Sequence, residues 1–302
     1  MPFDRFMDLA LYDAEVGYYR ASRPRIGYGG DTDFFTATTS GPVFGELIAA
    51  ACTSLLGTAG ARKCTFVEIG AENSDGVLAG VAHPFGRVRT IRFGDPIEIS
   101  GNCVVFSNEL FDAQPFRRFV FRGQHWREIG VAFRDGSLIE SEIAGAIPSS
   151  LPETAPEEYI LDAPMGAASL AKRIAEAPWT GLFIACDYGK SWRELTEACP
   201  AGTARAYHRH QQTNDLLARP GEQDLTCHVC WDWLADALSQ HGFVSPTVDS
   251  QESFFIRHST RFIAETSAAE AAKFSKRKLS LLQLLHPSHL GQKFQVLHAL
   301  RA

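Results

Sequence analysis

Apolar residues along this chain fall into two alternating spacings. Short runs of β-branched or aliphatic residues that end in polar ones lie at Thr65 to Ile69, Val88 to Phe93, Cys103 to Ser107 and Gly181 to Cys186, with a last pair near Phe243 to Asp249 and Phe294 to Ala299. Runs of this length and composition predict strands. Longer stretches carry apolar residues at helical spacing: Pro42 to about Leu56, through Phe44, Leu47 and Ile48, then Ala167 to Ala177 and Val229 to Gln240. Strands that alternate with helices predict an α/β fold with a mainly parallel sheet covered on both faces.

Two regions depart from that alternation. Residues 116 to 140, FRRFVFRGQHWREIGVAFRDGSLIE, alternate with period two around Gly123 and Asp135-Gly136, the pattern of an antiparallel hairpin or meander. Residues 190 to 226 are rich in Gly, Pro, His and Arg and show no clear period, so they are expected to form a long loop or lid. The expected organisation is an N-terminal extension over residues 1–45, then one domain over 46–302 with insertions at about 116–160 and 190–226.

Composition narrows the class. A chain of 302 residues that is 45% hydrophobic has enough apolar surface for a substantial core. Its 29 Lys and Arg stand against 35 Asp and Glu, a net charge of −6, which argues against general nucleic-acid binding, since that needs a surplus of cations. The start, MPFDRFMDLALYDAEVGYY, lacks the basic-then-apolar layout of a secretion signal, and no run is expected to reach bilayer-spanning length. Seven scattered cysteines, an odd number, do not form a disulfide framework, so the expected setting is the reducing cytoplasm.

In a parallel sheet, ligands gather beyond the carboxyl ends of the strands. Three such ends carry candidate chemistry. In TFVEIGAENSDG, Glu68 closes a strand, Gly70 opens a turn in which the backbone can approach a ligand, and Gly76 follows. In CVVFSNELFDAQPF, Asn108, Glu109 and Asp112 arrive together before Pro115; carboxylates so clustered need a cation or a donor, or else serve as turn and capping residues. In GLFIACDYG, Asp187 and Tyr188 follow a buried strand, and Asp187 either orients a loop or substrate or caps a helix.

With these residues in view, the chain resembles the MidA-like methyltransferases. The opening ALYDAEVGYY, the run Asp33-Phe34-Phe35-Thr36 with Phe44-Gly45, NELFDAQP, DYG, the block GTARAYHRHQQTNDLLARPGEQDLTCHV and the ending PSHLGQKFQVL are each similar to family segments, in order over almost the whole chain. The block holds Tyr207, His210, Asp224 and His228. The resemblance implies a class I methyltransferase fold, Rossmann-like and seven-stranded, with S-adenosylmethionine as cofactor and the N-terminal extension covering its cleft. Relatives in mitochondria methylate an arginine of a respiratory complex I subunit, so a protein arginine is the implied substrate class. Glu109 and Asp112 are then the candidates to hold a guanidinium and manage its proton, although either could instead bind the cofactor's amino group. Thr36, Glu68, Gly70, Gly76, Asp95 and Asn108 are expected on the cofactor side, and Asp187, Tyr188, Tyr207, His210, Asp224 and His228 on the substrate or lid side.

The sequence also departs from the family pattern. The loop GAENSDG keeps Gly70 but places Glu72 and Asn73 where close approach is needed, and Gly76 is displaced. After the second strand, Ile91-Arg92-Phe93-Gly94 offers no immediate acidic residue for ribose hydroxyls, leaving Asp95 as the nearest, and Cys230 replaces an aspartate. The segment between the first strand and Asn108 is short. Two functional readings therefore stand: a methyltransferase acting on a protein, or a member that has lost the cofactor and serves as a binding or assembly module. Cys227 and Cys230 flank His228, but no second pair completes a zinc spacing, and no metal ligand is assigned. The GYGG run at 27–30 lacks the Lys-Ser/Thr of a phosphate loop, and KFSKRK at 273–278 reads as a solvated helix face.

Overall fold

The computed structural model of the protein describes residues 1–20, 33, 41–71, 75–272 and 275–302. GYGG, Thr36, Glu72 and Asn73 lie outside the described residues. The helices are α1 (Phe3–Tyr12), α2 (Pro42–Ala61), α3 (Met165–Glu176), α4 (Trp192–Glu197), α5 (Trp231–Ser239), α6 (Gln251–His258), α7 (Thr260–Ala269) and α8 (Lys276–Leu285). The strands are β1 (Thr65–Ile69), β2 (Arg87–Ile91), β3 (Gly101–Asn108), β4 (Arg117–Arg122), β5 (His125–Arg134), β6 (Ser137–Ile143), β7 (Ile160–Ala163), β8 (Trp179–Asp187), β9 (Gly189–Lys190), β10 (Arg205–His208), β11 (Gln211–Thr213), β12 (Asp224–Thr226), β13 (Val229–Cys230), β14 (Val244–Ser250) and β15 (Gln295–Arg301). The chain folds as two compact units, each made of three chain segments.

The unit formed by Phe35–Leu110, Lys172–Tyr188 and Ala235–Ala302 holds the main sheet, in the order β14-β15-β8-β3-β1-β2. Strands β2, β1, β3 and β8 run parallel, and β15 inserts antiparallel between β8 and β14. This is the mainly parallel α/β sheet expected, with six strands among the described residues. Only residues 92–100 separate β2 from β3, too little chain for a crossover with its own helix and a further strand. The core joins Phe44, Leu47 and Ile48 of α2 to Phe66, Val104, Phe106 and Ile184 of the sheet and to Phe254 and Phe255 of α6.

Helix α2 corrects the expectation that no run is long enough for a membrane: by length and composition it could cross one. Its buried face instead lines the core just described, and the backbone breaks at Gly57, where φ is +68°. It also runs past Leu56, the end expected from its apolar spacing.

The other unit, Met1–Phe34, Phe111–Ala171 and Gly189–Leu234, is built on antiparallel β-structure. Strands β6-β5-β4-β7 form one sheet, which contains the meander expected over residues 116 to 140. Helix α1 packs Phe3, Phe6, Met7 and Leu11 with Phe116, Val131 and Leu225. The stretch 190–226 is a correction, because it contains α4, with a Ser191–Glu194 capping box, and the three-stranded sheet β11-β10-β12. Strands of three or four residues carry too few positions for a period to show in sequence.

Candidate functional site

In the unit with the main sheet, the carboxyl ends of β1, β3 and β8 lie side by side, with Ile69 opposite Ser107 and Asn108 opposite Cys186. The sheet therefore brings Gly70, Asn108, Glu109 and Asp187 to one edge. Gly70 sits at φ +79°, and a Cβ there would press to 2.8 Å from Leu110 Cδ1, so the turn requires glycine. Its amide donates to Ile91 O at 2.8 Å and so ties the end of β1 to β2.

Glu68 turns into its own loop. Its Oε2 accepts the Val77 amide at 2.6 Å, and a Cβ on Gly76, at φ +66°, would run into that same oxygen. Burial raises the Glu68 carboxyl from its ordinary 4.5 to about 7, against the lowering effect of the Val77 amide. Asp95 lies in an exposed turn after β2, where Oδ2 accepts the Arg92 amide at 2.8 Å.

Asn108 ends β3. Its Nδ2 donates to Glu109 Oε1 at 3.0 Å, while its Oδ1 is shielded from solvent and, like Ser107 Oγ, finds no hydrogen-bond partner among the described residues. The two residues are consecutive in the strand and face opposite sides of the sheet; buried polar atoms are otherwise almost always paired, so the Asn108 orphan at the strand end fits a place for a polar ligand. Glu109 adopts φ +49°, an unusual conformation for a side chain-bearing residue, and its amide donates to Cys186 O at 2.9 Å. Asp187 is fully buried, with Oδ1 accepting the Tyr188 amide at 2.8 Å, and the Tyr188 ring packs against Phe294 with centroids 4.1 Å apart.

The antiparallel unit gathers a second set. Asp112 is buried, and its carbonyl accepts the Cys227 amide at 2.8 Å. Tyr12 donates to Ala113 O at 2.6 Å, Tyr19 donates to Asp224 Oδ1 at 3.0 Å, and the two rings stack at 5.4 Å. Burial first, then the negative charges of Asp224 and Asp112, push both phenols well above their ordinary 10. Sequence reasoning assigned no role to Tyr12 or Tyr19, and their only signal was a place inside ALYDAEVGYY. Tyr207 pairs across the sheet with Asp224, and its hydroxyl donates to Gln212 Oε1 at 3.1 Å.

His210 is exposed in the turn between β10 and β11. That turn puts both Arg209 (φ +48°) and His210 (φ +62°) in the left-handed region, which glycine or asparagine usually supplies. Asp33 holds it: Oδ1 accepts the Arg209 amide and its carbonyl accepts the His210 amide, each at 2.8 Å, while Oδ2 accepts Tyr18 OH at 2.6 Å. His228 is largely buried; its Nδ1 has no partner among the described residues, and burial, followed by Lys190 and Arg205, lowers its imidazolium to about 4. Cys227 and Cys230 are both buried, and burial pushes the Cys227 thiol up.

Residues 84–248 match the model of a family described as "Putative S-adenosyl-L-methionine-dependent methyltransferase". The chain belongs to this methyltransferase family. The match takes in Asn108, Glu109, Asp112 and Asp187 and begins after Glu68, Gly70 and Gly76. Two crystal structures from Burkholderia thailandensis are similar over 100% of the chain. One, described as a "likely methyl transferase" bound to S-adenosyl-homocysteine, is 24% identical with a TM-score of 0.86 and is covered over 88% of its length. The other, a native structure of a protein from the same superfamily, is 23% identical with a TM-score of 0.81 and 87% covered. At these identities the likeness carries the fold. No curated protein matches the chain.

The resemblance to MidA-like methyltransferases is thus borne out, as are the α/β class and S-adenosylmethionine as the cofactor of the family. Within the methyltransferase, Asn108 Oδ1 at the end of β3, beside the Gly70 turn, fits a polar cofactor at the end of the main sheet.

Proposed function

We propose that this methyltransferase transfers a methyl group from S-adenosylmethionine to an arginine nitrogen of a partner protein in the cytoplasm. The reading is supported above all by the unpaired, shielded Asn108 Oδ1 at the carboxyl end of β3, next to Gly70 and Glu109. When bound, the cofactor supplies an electrophilic methyl group on a sulfonium. Asn108 and the Gly70 turn would hold it. A guanidinium is protonated at neutral pH, so its attack needs carboxylates that orient it and draw off its proton. Glu109 in the main-sheet unit or, alternatively, Asp112 in the antiparallel unit is proposed for that work. Within the antiparallel unit, Tyr12 and Tyr19 stack beside the buried carboxylates of Asp224 and Asp112, a setting suited to a flat cation.

The second reading, a binding or assembly module without catalysis, is favoured by one observation. Both acidic cofactor candidates give one oxygen to a backbone amide, Glu68 to Val77 and Asp95 to Arg92. Calorimetric titration with S-adenosyl-homocysteine separates the two. Micromolar binding, followed by methyl label from S-adenosylmethionine recovered as methylarginine in cell-extract protein, upholds the enzyme. No heat at about millimolar ligand, an affinity worth only about 4 kcal/mol, leaves the module.

A further inference from the structure

A cluster outside the site just described carries chemistry of its own. Asp249 of β14, His258 of α6 and His298 of β15 each offer one ligand atom, and the three atoms lie within 4.8 Å of one another. Their meeting follows from the fold. Strand register sets Asp249 opposite Val296 and Thr247 opposite His298, so Asp249 and His298 share the face that also presents Val296. Helix α6 covers that face: Phe254 packs in the core with Val296, and His258, four residues on, falls on the same stripe at the last turn. The Phe254 ring lies 5.1 Å from the His258 ring and 5.2 Å from the His298 ring, and it forms an apolar floor beneath them.

Hydrogen bonds join His298, Asp249 and Arg257 and leave His258 out. His298 Nε2 lies 3.4 Å from Asp249 Oδ2, and Arg257 Nη1 donates to both carboxylate oxygens of Asp249, at 3.1 and 2.9 Å. His258 Nε2 is shielded from solvent and has no partner among the described residues. A buried ring nitrogen left so is costly, and an ion bridging the triad would satisfy it. Only 13% of the His298 side chain and 11% of Asp249 are exposed. Arg257 would then fix the orientation of the ligating carboxylate from behind.

We propose that Asp249, His258 and His298 form a binding site for a divalent transition-metal ion of the zinc class, which pins the end of α6 to β14 and β15. Two imidazoles and a carboxylate are a donor set for such an ion, with water completing the shell. Ligand atoms around it stand about 3.0–3.5 Å apart, so small side-chain rotations close the triad. The ligands fall at 249, 258 and 298, too far apart along the chain to read as a motif.

The test uses the full chain after treatment with a chelator, titrated with Zn²⁺ by calorimetry and with Co²⁺ by visible absorption. One equivalent should bind with micromolar affinity or better and raise the melting temperature, and Co²⁺ should give visible bands without thiolate charge transfer. His258→Gln and His298→Gln should each weaken binding at least about tenfold with unchanged circular dichroism. If either histidine variant misfolds, Asp249→Asn decides in its place and should weaken binding likewise. Absence of binding at about 100 µM metal, thiolate bands, or affinity indifferent to these substitutions would overturn the site.

Discussion

Arg118 and Asp162 meet inside the antiparallel unit, where Arg118 Nε donates to Asp162 Oδ1 at 2.8 Å; the arginine side chain is 7% exposed and the aspartate fully buried. The pair joins β4 to β7, and Asp162 Oδ2 also accepts the Thr203 and Ala204 amides at 2.8 Å each. One carboxylate thereby fixes the entry to β10. Removing only the cation leaves a buried charge without its counterion, so Arg118→Met is expected to cost about 3–5 kcal/mol. Urea unfolding followed by circular dichroism checks this, and a loss under about 1 kcal/mol contradicts it.

Glu68 makes the main-sheet unit less stable as pH rises from acid to neutral. Its carboxyl titrates near 7 when folded and near 4.5 when free, so the folded state binds the proton more tightly. Stability from this group is full below about pH 4.5 and is lost as pH rises toward 7, on the order of 3 kcal/mol. Glu68→Gln should flatten that slope, as read from unfolding midpoints across the same range.

His228 works in the opposite sense. Its folded value of about 4 lies below the ordinary 6.5, so the unfolded chain takes the proton first. The protein should lose stability as pH falls from about 6.5 toward 4, and His228→Asn should remove that loss. A variant whose acid limb superimposes on the parent's would refute the assignment.

Asn108→Ala tests the cofactor side. It deletes the shielded Oδ1 together with the Nδ2 that donates to Glu109. Affinity for S-adenosyl-homocysteine should fall about ten- to a hundredfold, the worth of one or two polar contacts, while the urea midpoint moves little. Equal affinity in parent and variant would place the ligand elsewhere.

Much of the main sheet was legible in the chain. The run Thr65 to Ile69 marks β1 at both ends, β3 and β8 exceed their apolar runs by two residues at the start and one at the end, and β15 starts one residue after its run and ends two beyond it. The strand-end rule also led to Asn108, Glu109 and Asp187, because parallel strands deliver their carboxyl ends to one edge. What was hidden depends on distant partners. No local signal says that Glu68 will bend back to the Val77 amide, or that Asp33 will stand beneath a turn of Arg209 and His210. Helices α6, α7 and α8 span only 8 to 10 residues each, so their apolar spacing repeats too few times to stand out. Tyr12 and Tyr19 gained meaning only once β12 placed Asp224 beside them.

Asp33 and Arg209 are 176 positions apart, and the antiparallel unit draws on three separate stretches ending at Leu234. During synthesis the apolar stripe of α1, with Phe3, Phe6, Met7 and Leu11, therefore leaves the ribosome long before β12 exists to cover it. At about 5–20 residues per second the nascent chain carries that stripe incompletely covered for some 10–40 seconds, a delay that slows maturation and leaves apolar surface open to chaperones.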